Sequence, residues 1–382
     1  MKICYIATTV HISKSLNEAL GSTTHTYAIA SELSKLGHEV CVISDKFKGD
    51  LDYEKIDQLY IYRFLRGVIK SSKDIKKTKF RQFAKYFKIV PNFLLALKIA
   101  KIVQKNNCDL ILERAHSLGV GALVSCLTGK PLILEVIDCI FSRLSVWRAK
   151  SIIAYTKEFF SKNNVKKIKI VNAGFDPNIF YPIKQKFKFD LCYAGSFKEW
   201  DGLEDLILAI KKVIIKKPEI KIVLIGEGVR FLEIKRLIKE NKLENNIIVQ
   251  GKVSLKMVNK FIAQTKICLA PFNIKRSKKG EFEKYGFYFS PLKIFEYLAC
   301  GKPIIATNYP KIKEIINKEN GELFKEGNSQ DLADKIIMLL YERNSEEISK
   351  NNLKLARKYK WENVVKNIND LILKTIKNNI IH

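Results

Sequence analysis

The residue types best suited to bind a charged ligand are concentrated between positions 273 and 307. The loop that opens this stretch is rich in cations: Lys275, Arg276, Lys278 and Lys279. The segment SPLKIFEYLACGKPIIAT at 290–307 predicts a helix with Ser290 as N-cap, Pro291 at the first helical position and Gly301 just past the end. A helix that begins at the carboxyl end of a parallel strand presents free backbone N–H groups and a partial positive charge. The basic loop and the helix start together predict a phosphate-binding site.

The elements that must position this site alternate along the chain and then start again, which indicates two similar halves. In the first half, apolar runs predict an amphipathic helix at 23–35 and strands at 2–9, 39–44, 110–113, 131–136 and 151–154. In the second half, strands are expected at 189–194, 221–225, 247–250, 267–272 and 303–307. Helices are expected there at 203–215, 231–240, 255–264, 312–316, 329–341 and 345–359. Each half therefore predicts a doubly wound α/β domain that binds ligands at the carboxyl ends of its parallel strands.

The two halves meet where the segment NAGFDPNIFYPIKQKFK is rich in turn formers. The expected organisation is a first domain at 1–172, a linker at 173–188, a second domain at 189–360 and a helix at 361–382 that could pack back on the first domain. Two such domains are expected to face each other across a cleft that holds the ligand.

The net charge of +29 is the unusual bulk property of the chain. It points to a polyanionic partner such as nucleic acid, an anionic membrane or a phosphorylated small molecule, or to compositional drift. The charge is uneven, because residues 63–105 hold 13 Lys or Arg against a single acid, Asp74. Aromatic residues alternate with these cations, so the segment could lie on an anionic membrane face or be a solvated helix whose apolar stripe covers the core.

Eight cysteines are scattered singly, without metal-binding spacing, as in a reduced cytoplasmic protein. The apolar run at 3–10 is too short for a signal peptide, and no stretch reaches the roughly 18 apolar residues of a spanning helix. The expected location is therefore the cytoplasm, with peripheral contact to the inner face of the cell membrane.

Several short motifs, in a fixed order, accompany the 290–307 segment. They are the loop glycine Gly21, the Gly37-His38-x-Val40 turn, Asn172 to Asp176, Gly195 to Lys198 with Trp200 to Gly202, Gly226 to Gly228, and Val249 to Val253. In this order they resemble the retaining glycosyltransferases of the GT-B fold, in particular glycosyltransferase family 4. The resemblance covers nearly the whole chain and implies a GT-B fold, which consists of two Rossmann-like doubly wound parallel-sheet domains.

The resemblance also implies the division of roles. The second domain would hold a nucleotide-diphosphate sugar and the first domain the acceptor. Glu296 would accept hydrogen bonds from the ribose hydroxyls, since a carboxylate suits a vicinal diol. Lys198 would contact the diphosphate. The remaining expected donor-binding residues are Gly21, Gly226, Gly251, Ser290, Pro291, Leu292 and Lys293.

Two positions depart from the family pattern. A second glutamate often lies eight positions before the ribose glutamate, and here that position is Tyr288. A second basic residue often follows Lys198, and here Asp201 precedes Gly202. The diphosphate would then be held by Lys198, by the helix start at Ser290, and by Arg276 or Lys279.

Four residues of the first domain follow predicted elements and are candidates for the cleft. His116 is a catalytic candidate that contacts the sugar or the acceptor, or else a structural histidine. His25, Arg114 and Glu135 are acceptor-side candidates. For Arg114 the alternative is a pair with Glu113 or Glu135, and for Glu135 a structural pair with Arg114 or Arg143.

The expected function is a glycosyltransferase of the hexosyltransferase type, moving a sugar from a UDP or GDP carrier to a lipid-linked or polysaccharide acceptor. Retention of configuration is implied by the resemblance alone. A diphosphate is a good leaving group, so preorganised N–H groups and cations suffice, and neither a metal nor another cofactor is expected. The alternatives are a nucleotide-sugar epimerase of the same fold and a non-catalytic nucleic-acid-binding protein, which no nucleic-acid signature supports.

Overall fold

A computed structural model describes residues 1–12, 21–65, 89–160, 167–278 and 280–380. The chain divides into two compact units, Met1–Asn172 with Val364–His382, and Ala173–Asn363. Most of the basic aromatic segment, at 66–88, lies outside the described residues, and so does Lys279.

The first unit is built on an eight-stranded sheet with strand order β3-β4-β2-β1-β5-β6-β7-β8. Its strands are β1 (Lys2–His11), β2 (Glu39–Asp45), β3 (Tyr53–Ile56), β4 (Leu59–Phe64), β5 (Leu110–Arg114), β6 (Leu132–Val136), β7 (Ser151–Ala154) and β8 (Ile168–Ile170). All pairs are parallel except that of β3 with β4. The central strands β5 and β6 are buried along their whole length, as expected for a parallel sheet covered on both faces.

In the described part of the unit, four helices connect these strands: α1 (Gly21–Lys35), α2 (Ile89–Lys105), α3 (Val120–Thr128) and α4 (Arg143–Arg148). Strand-to-strand crossovers are right-handed, so helices that connect strands in the same direction across the sheet lie on the same face. The order of the strands therefore places α2, α3 and α4 on one face and α1 on the other. The packing of α3 against both α2 and α4 agrees with this arrangement.

The second unit has a six-stranded, fully parallel sheet with strand order β11-β10-β9-β12-β13-β14. Its strands are β9 (Phe189–Ala194), β10 (Ile222–Ile225), β11 (Ile247–Gly251), β12 (Thr265–Ala270), β13 (Ile304–Thr307) and β14 (Gly321–Phe324). Its helices are α5 (Leu203–Lys216), α6 (Phe231–Glu240), α7 (Leu255–Ala263), α8 (Gly280–Tyr285), α9 (Leu292–Ala299), α10 (Pro310–Lys313), α11 (Ser329–Tyr341) and α12 (Ser345–Ala356). The last helix, α13 (Trp361–Ile380), belongs to the first unit from Val364 onward.

The predicted fold class of two doubly wound parallel-sheet domains is confirmed, and the differences are local. The hairpin of β3 and β4 and the edge strand β14 were not predicted. The helix expected at 312–316 is instead the short helix Pro310–Lys313. The expected linker begins as part of the second unit, because Phe175 forms a β-bridge with Lys360. None of the helices in the described ranges is both long and apolar enough to span a bilayer.

Candidate functional site

Helix α9 begins one residue later than predicted. Pro291 is its N-cap, with φ −80° and ψ 79°, so the prediction of Ser290 as the capping residue is wrong. The Ser290 hydroxyl instead accepts a hydrogen bond of 2.9 Å from the backbone N–H of Ala173, within the same unit. The helix end is confirmed, since Gly301 follows the C-cap with φ +66°.

Glu296 lies one turn after the start of α9 and is half-buried. Within the described residues its carboxylate has neither a hydrogen-bond nor an ion-pair partner. Burial raises the pKa of Glu296 to about 7, although the positive charge of Lys293 partly opposes this rise. The next residue fixes the helix, because the Tyr297 hydroxyl accepts a hydrogen bond of 2.8 Å from the backbone N–H of Ala194 at the end of β9. The fold therefore fixes the helix that carries Glu296 but, among the described residues, gives its carboxyl group no partner.

Lys293 is used by the fold instead. Its Nζ donates to Asp201 Oδ1 and to the Tyr193 hydroxyl, each at 2.9 Å, and the Asp201 side chain is only 3% exposed. Asp201 also accepts a hydrogen bond of 3.1 Å from the backbone N–H of Lys198. The departure from the family pattern at Asp201 is thus matched by an internal ion pair, which neutralises Lys293.

Two glycines allow the loops at the carboxyl edge of the second sheet to approach closely. Gly226 has φ +128°, and a Cβ there would lie 1.9 Å from the Gly195 carbonyl oxygen. Gly202 has φ +63°, and a Cβ there would lie 1.7 Å from the Pro271 carbonyl oxygen. Gly226 also donates its N–H to the Gly251 carbonyl at 2.9 Å. Only glycine fits at positions 226 and 202.

These contacts bring most of the expected donor-binding residues together. A Cβ on Gly195 would lie 2.8 Å from Lys293 Nζ, so the loop after β9 meets α9 directly. Lys198, in that loop, is exposed, and its Nζ lies 5.0 Å from the centre of the Trp200 ring. Gly21 belongs to the other unit, as the first residue of α1. The carboxyl edge of the second sheet thus combines the glycine turn at Gly195, the exposed cation of Lys198 and helix α9, which carries the carboxyl group of Glu296.

The basic loop supplies fewer free cations than predicted. Arg276 forms an ion pair with the buried Asp205, and Lys275 lies 3.8 Å from Glu326. Tyr288, at the position of the missing glutamate, is 4% exposed. It belongs to an aromatic cluster that sequence reasoning missed, although the run at 287–289 was a signal: Trp200, Phe282, Phe287, Tyr288, Phe289 and Tyr309.

In the first unit, Glu135 is the centre of a buried network. Its carboxylate lies 2.5 Å from both the Tyr5 hydroxyl and His25 Nε2, and the Tyr155 hydroxyl lies 3.0 Å from His25 Nδ1. Burial alone would raise the pKa of Glu135, but His25, Arg114 and Tyr5 lower it to about 2. Arg114 also donates to the Thr26 hydroxyl at 2.7 Å.

This network is structural in the present conformation. His25, Arg114 and Glu135 are 5%, 1% and 2% exposed, so the acceptor role predicted for them is not supported by their position. The adjoining cavity, lined by His25, Glu135, Tyr155 and Ile368 among others, has a volume of about 10 Å³. Such a space holds at most one water molecule. Glu135 has a structural contact, as one alternative expected, but its printed ion-pair partner is His25 rather than Arg114 or Arg143.

His116 remains accessible. It lies in a single helical turn after β5, with 28% of its side chain exposed, and Asp138 Oδ2 approaches its Nε2 to 2.5 Å. The approach is an ion-pair contact that is not aligned as a hydrogen bond. The turn is held from below by Glu113, which accepts a 3.0 Å hydrogen bond from the Gly119 N–H. Sequence reasoning missed Asp138, which orients the only accessible residue among the four first-domain candidates.

Two family models match the chain. One, described as Glycosyl transferases group 1, matches residues 188–342, and the other, described as Glycosyltransferase Family 4, matches residues 20–158. An uncharacterized glycosyltransferase of Methanocaldococcus jannaschii is 28% identical over 304 residues, which are 74% of this chain and 80% of that protein. The N-acetyl-alpha-D-glucosaminyl L-malate synthase of Bacillus anthracis is 28% identical over 183 residues, 48% of this chain and 43% of that protein.

Solved structures share the fold over the whole length. Sucrose-phosphate synthase of Thermosynechococcus elongatus superposes with a TM-score of 0.72 at 15% identity, covering 99% of both chains. The Anabaena protein HepE, in complex with UDP, has a TM-score of 0.69 at 17% identity and covers 98% of this chain and 100% of its own. The two family models, each on one unit, and the shared fold identify the chain as a glycosyltransferase of the GT-B type.

Proposed function

We propose that the enzyme transfers a sugar from a nucleotide-diphosphate carrier, UDP or GDP, to a lipid-linked or polysaccharide acceptor. The transfer would retain the anomeric configuration and serve the synthesis of envelope glycans or glycolipids. The observation that carries this proposal is the position of Glu296. Its carboxyl group has no partner among the described residues, and it lies on α9 one helical turn after Lys293, whose Nζ approaches the Gly195 turn. A carboxylate suits the two hydroxyls of a ribose, and the positive end of the helix dipole one turn away suits the diphosphate joined to that ribose.

In this proposal, Glu296 accepts hydrogen bonds from the two ribose hydroxyls. Lys198 and the positive end of the α9 dipole stabilise the negative charge that grows on the diphosphate as the sugar leaves. Lys293 positions the loop through Asp201 rather than neutralising the phosphate. These groups would perform the reaction without a metal ion, so chelation with EDTA is expected to leave the activity unchanged.

UDP is the favoured carrier. The support is the Anabaena protein, whose structure was solved with UDP in a fold that this chain shares along its length. For the acceptor side, the proposal assigns a role to His116, because it is accessible and is oriented by Asp138. It would contact the sugar or the acceptor hydroxyl.

The test is an assay with radiolabelled UDP-glucose, UDP-N-acetylglucosamine and GDP-mannose, offered with and without a lipid extract and polysaccharide acceptors. The proposal expects release of the nucleoside diphosphate together with a labelled product, and loss of both in Glu296→Ala but not in the exposed control Glu319→Ala. Retention is then read from the anomeric proton coupling of the product by NMR. Isomerised donor without an acceptor would instead indicate an epimerase.

We also propose a location at the cytoplasmic face of the cell membrane, with peripheral binding to anionic lipid. Support comes from the net charge of +29, since a polycationic surface is attracted to anionic lipid headgroups. Fractionation of cells should find the enzyme with membranes at low salt and in the supernatant after a high-salt wash.

A further inference from the structure

The outer face of the helical layer α2-α3-α4 carries an unusual set of exposed apolar side chains. They come from all three helices and from the loops at their starts: Phe93, Leu94, Leu97, Leu118, Leu127, Ile140, Leu144 and Trp147. Trp147 is 73% exposed, Leu94 55% and Ile140 50%. Several large apolar side chains exposed on one helical layer indicate an interaction site when they share a surface.

The three helices form one continuous layer. Helix α3 packs against both of its neighbours, and Arg148 of α4 donates to the Ser125 carbonyl of α3 at 3.3 Å. On α2 the exposed residues recur at helical spacing, so Phe93, Leu94 and Leu97 share one face with Lys98 and Lys101. The opposite face of α2, with Ala96, Ile99 and Val103, is buried.

Most of the apolar side chains lie near the carboxyl edge of the first sheet. Helices α2, α3 and α4 each lie between two parallel strands of the sheet. Each therefore runs from the carboxyl edge back to the edge where the next strand begins. Phe93 and Leu94 belong to the second turn of α2, Leu144 to the first turn of α4, and Leu118 and Ile140 to the connecting loops. The layer therefore presents its apolar side chains beside the edge that carries His116.

The charges on this layer have one sign. Cations at its surface are Lys98, Lys101, Lys105, Lys130, Arg143, Arg148 and Lys150. Among the described residues 89–150, the acids are otherwise engaged. Glu113 and Glu135 are buried, Asp138 lies against His116, and Asp109 accepts from the Lys2 N–H at the opposite edge. An exposed tryptophan and aliphatic side chains among cations match an anionic lipid interface.

We infer that the α2-α3-α4 layer, defined by these apolar and basic residues, is the surface by which the enzyme docks on an anionic bilayer. The aliphatic and Trp147 side chains enter the headgroup region, and the lysines bind lipid phosphates. The inference rests on the membrane association proposed above and is independent of the donor. It explains how an acceptor carried by a lipid would reach the His116 edge of the sheet.

The experiment is sedimentation with vesicles of phosphatidylcholine alone or with one third phosphatidylglycerol. Wild type should bind the anionic vesicles at least tenfold more strongly. Leu94→Ser with Trp147→Ser should weaken binding roughly tenfold. Lys98→Gln with Lys101→Gln should weaken it about twentyfold, since each lysine near the surface accounts for about fivefold. Quenching of wild-type fluorescence by brominated lipid should be lost in Trp147→Phe.

Matched controls come from exposed residues of the second unit. Ile215→Ser with Leu232→Ser changes apolar residues that are 81% and 79% exposed, and Lys235→Gln with Lys239→Gln removes two helical lysines. Both should bind vesicles as wild type does. UDP titration without vesicles separates failure of the donor proposal from failure of this one. Equal vesicle binding by the layer variants and wild type, or binding to polyglutamate without binding to vesicles, would overturn the lipid assignment.

Discussion

Glu296 combines two properties that belong together in a ligand-binding carboxyl group. It lies on a fixed helix, and within the described residues the fold leaves its carboxylate without a partner. Its pKa, raised to about 7 by burial, means that the unliganded site keeps part of the population protonated near neutral pH. Hydroxyl donors bind the ionised form, so the proposed binding of a ribose by Glu296 would be coupled to release of a proton.

The first prediction concerns the pH dependence of donor binding. The affinity of the wild type for UDP should rise as the pH rises from about 6 to 8, because the carboxylate form accepts the ribose hydroxyls. Glu296→Gln should bind at least tenfold more weakly at pH 8, since hydrogen bonds to charged groups contribute about 1.5–3 kcal/mol, and its pH dependence should be flatter. Calorimetric titration at several pH values checks this, with Glu319→Gln as control. Identical pH profiles of wild type and Glu296→Gln would contradict it.

The second prediction concerns stability. Glu135→Gln should lower the free energy of unfolding of the first unit by about 3 kcal/mol at pH 7, because His25 loses its buried ion-pair partner and the buried Arg114 loses the attraction of the opposite charge. The pKa of Glu135 is lowered in the folded state, so its contribution is present above the unfolded value and fades as the pH falls from about 5 towards 2. Urea unfolding followed by circular dichroism measures the difference, which should narrow in acid.

The exposed Glu39→Gln, whose side chain is 42% accessible, is the control and should change stability by less than about 0.5 kcal/mol. A Glu135→Gln protein as stable as Glu39→Gln would show that the buried network contributes nothing.

At this scale the sequence names candidate donor residues, whose roles stay predictions, but it did not indicate that His25 and Arg114 are buried. Glu296 and Lys198 are named by motif and local spacing, which the sequence contains. The burial of His25 depends on Glu135 and Tyr155, which are 110 and 130 residues away in the chain. Long-range pairing of this kind leaves no local pattern. The partner of Lys293 was missed for the same reason, because Asp201 lies 92 residues before it.

At the scale of elements, the candidate donor-binding residues are brought together by loops that approach each other closely. The turn after β10 and the turn after β9 touch through Gly226 and Gly195, and the loop before α5 touches Pro271 through Gly202. The strands and helices around these turns were predictable, because their periodic apolar patterns are local. The N-cap of α9 was not, since Ser290 is taken by the backbone of Ala173, a residue from the far end of the unit.

The third prediction tests this contact. Gly226→Ala should destabilise the second unit by about 3 kcal/mol, because the new Cβ collides with the Gly195 carbonyl in a backbone conformation that only glycine adopts easily. UDP binding should weaken as well, since the loop of Lys198 must move. Gly280→Ala, where a Cβ meets nothing within 4 Å, is the control. Thermal unfolding and calorimetry of both variants suffice, and equal melting temperatures would refute the contact.

At the scale of the molecule, the chain leaves the first unit after Asn172 and returns at Val364. Helix α13 completes the first unit, where Val365, Ile368 and Ile372 are no more than 1% exposed. Its polar residues bind the same unit, with Asn369 Oδ1 2.7 Å from His38 Nε2 and the Thr375 hydroxyl 2.9 Å from that of Ser151. The packing of this helix on the first domain was one of the arrangements the sequence allowed, since an amphipathic helix alone does not specify its partner.

The fourth prediction is that truncation after Asn363 prevents stable folding of the first unit. Burial of each large apolar side chain contributes about 1.5–3 kcal/mol, so losing three or four of them removes much of the 5–15 kcal/mol typical of a domain. Truncation after Lys377 keeps the buried residues and should be tolerated. Limited proteolysis distinguishes the two, and a protease-resistant first unit in the shorter protein would contradict the prediction.

The account depends most on donor binding by the second unit, and calorimetric titration of UDP into wild type, Lys198→Ala and Glu296→Ala tests it most directly. We expect one binding site per chain in the wild type and at least tenfold weaker binding in each variant, with Glu319→Ala unchanged. Affinity in both variants equal to that of the wild type, or no binding of UDP or GDP by the wild type, would contradict the assignment of the donor site.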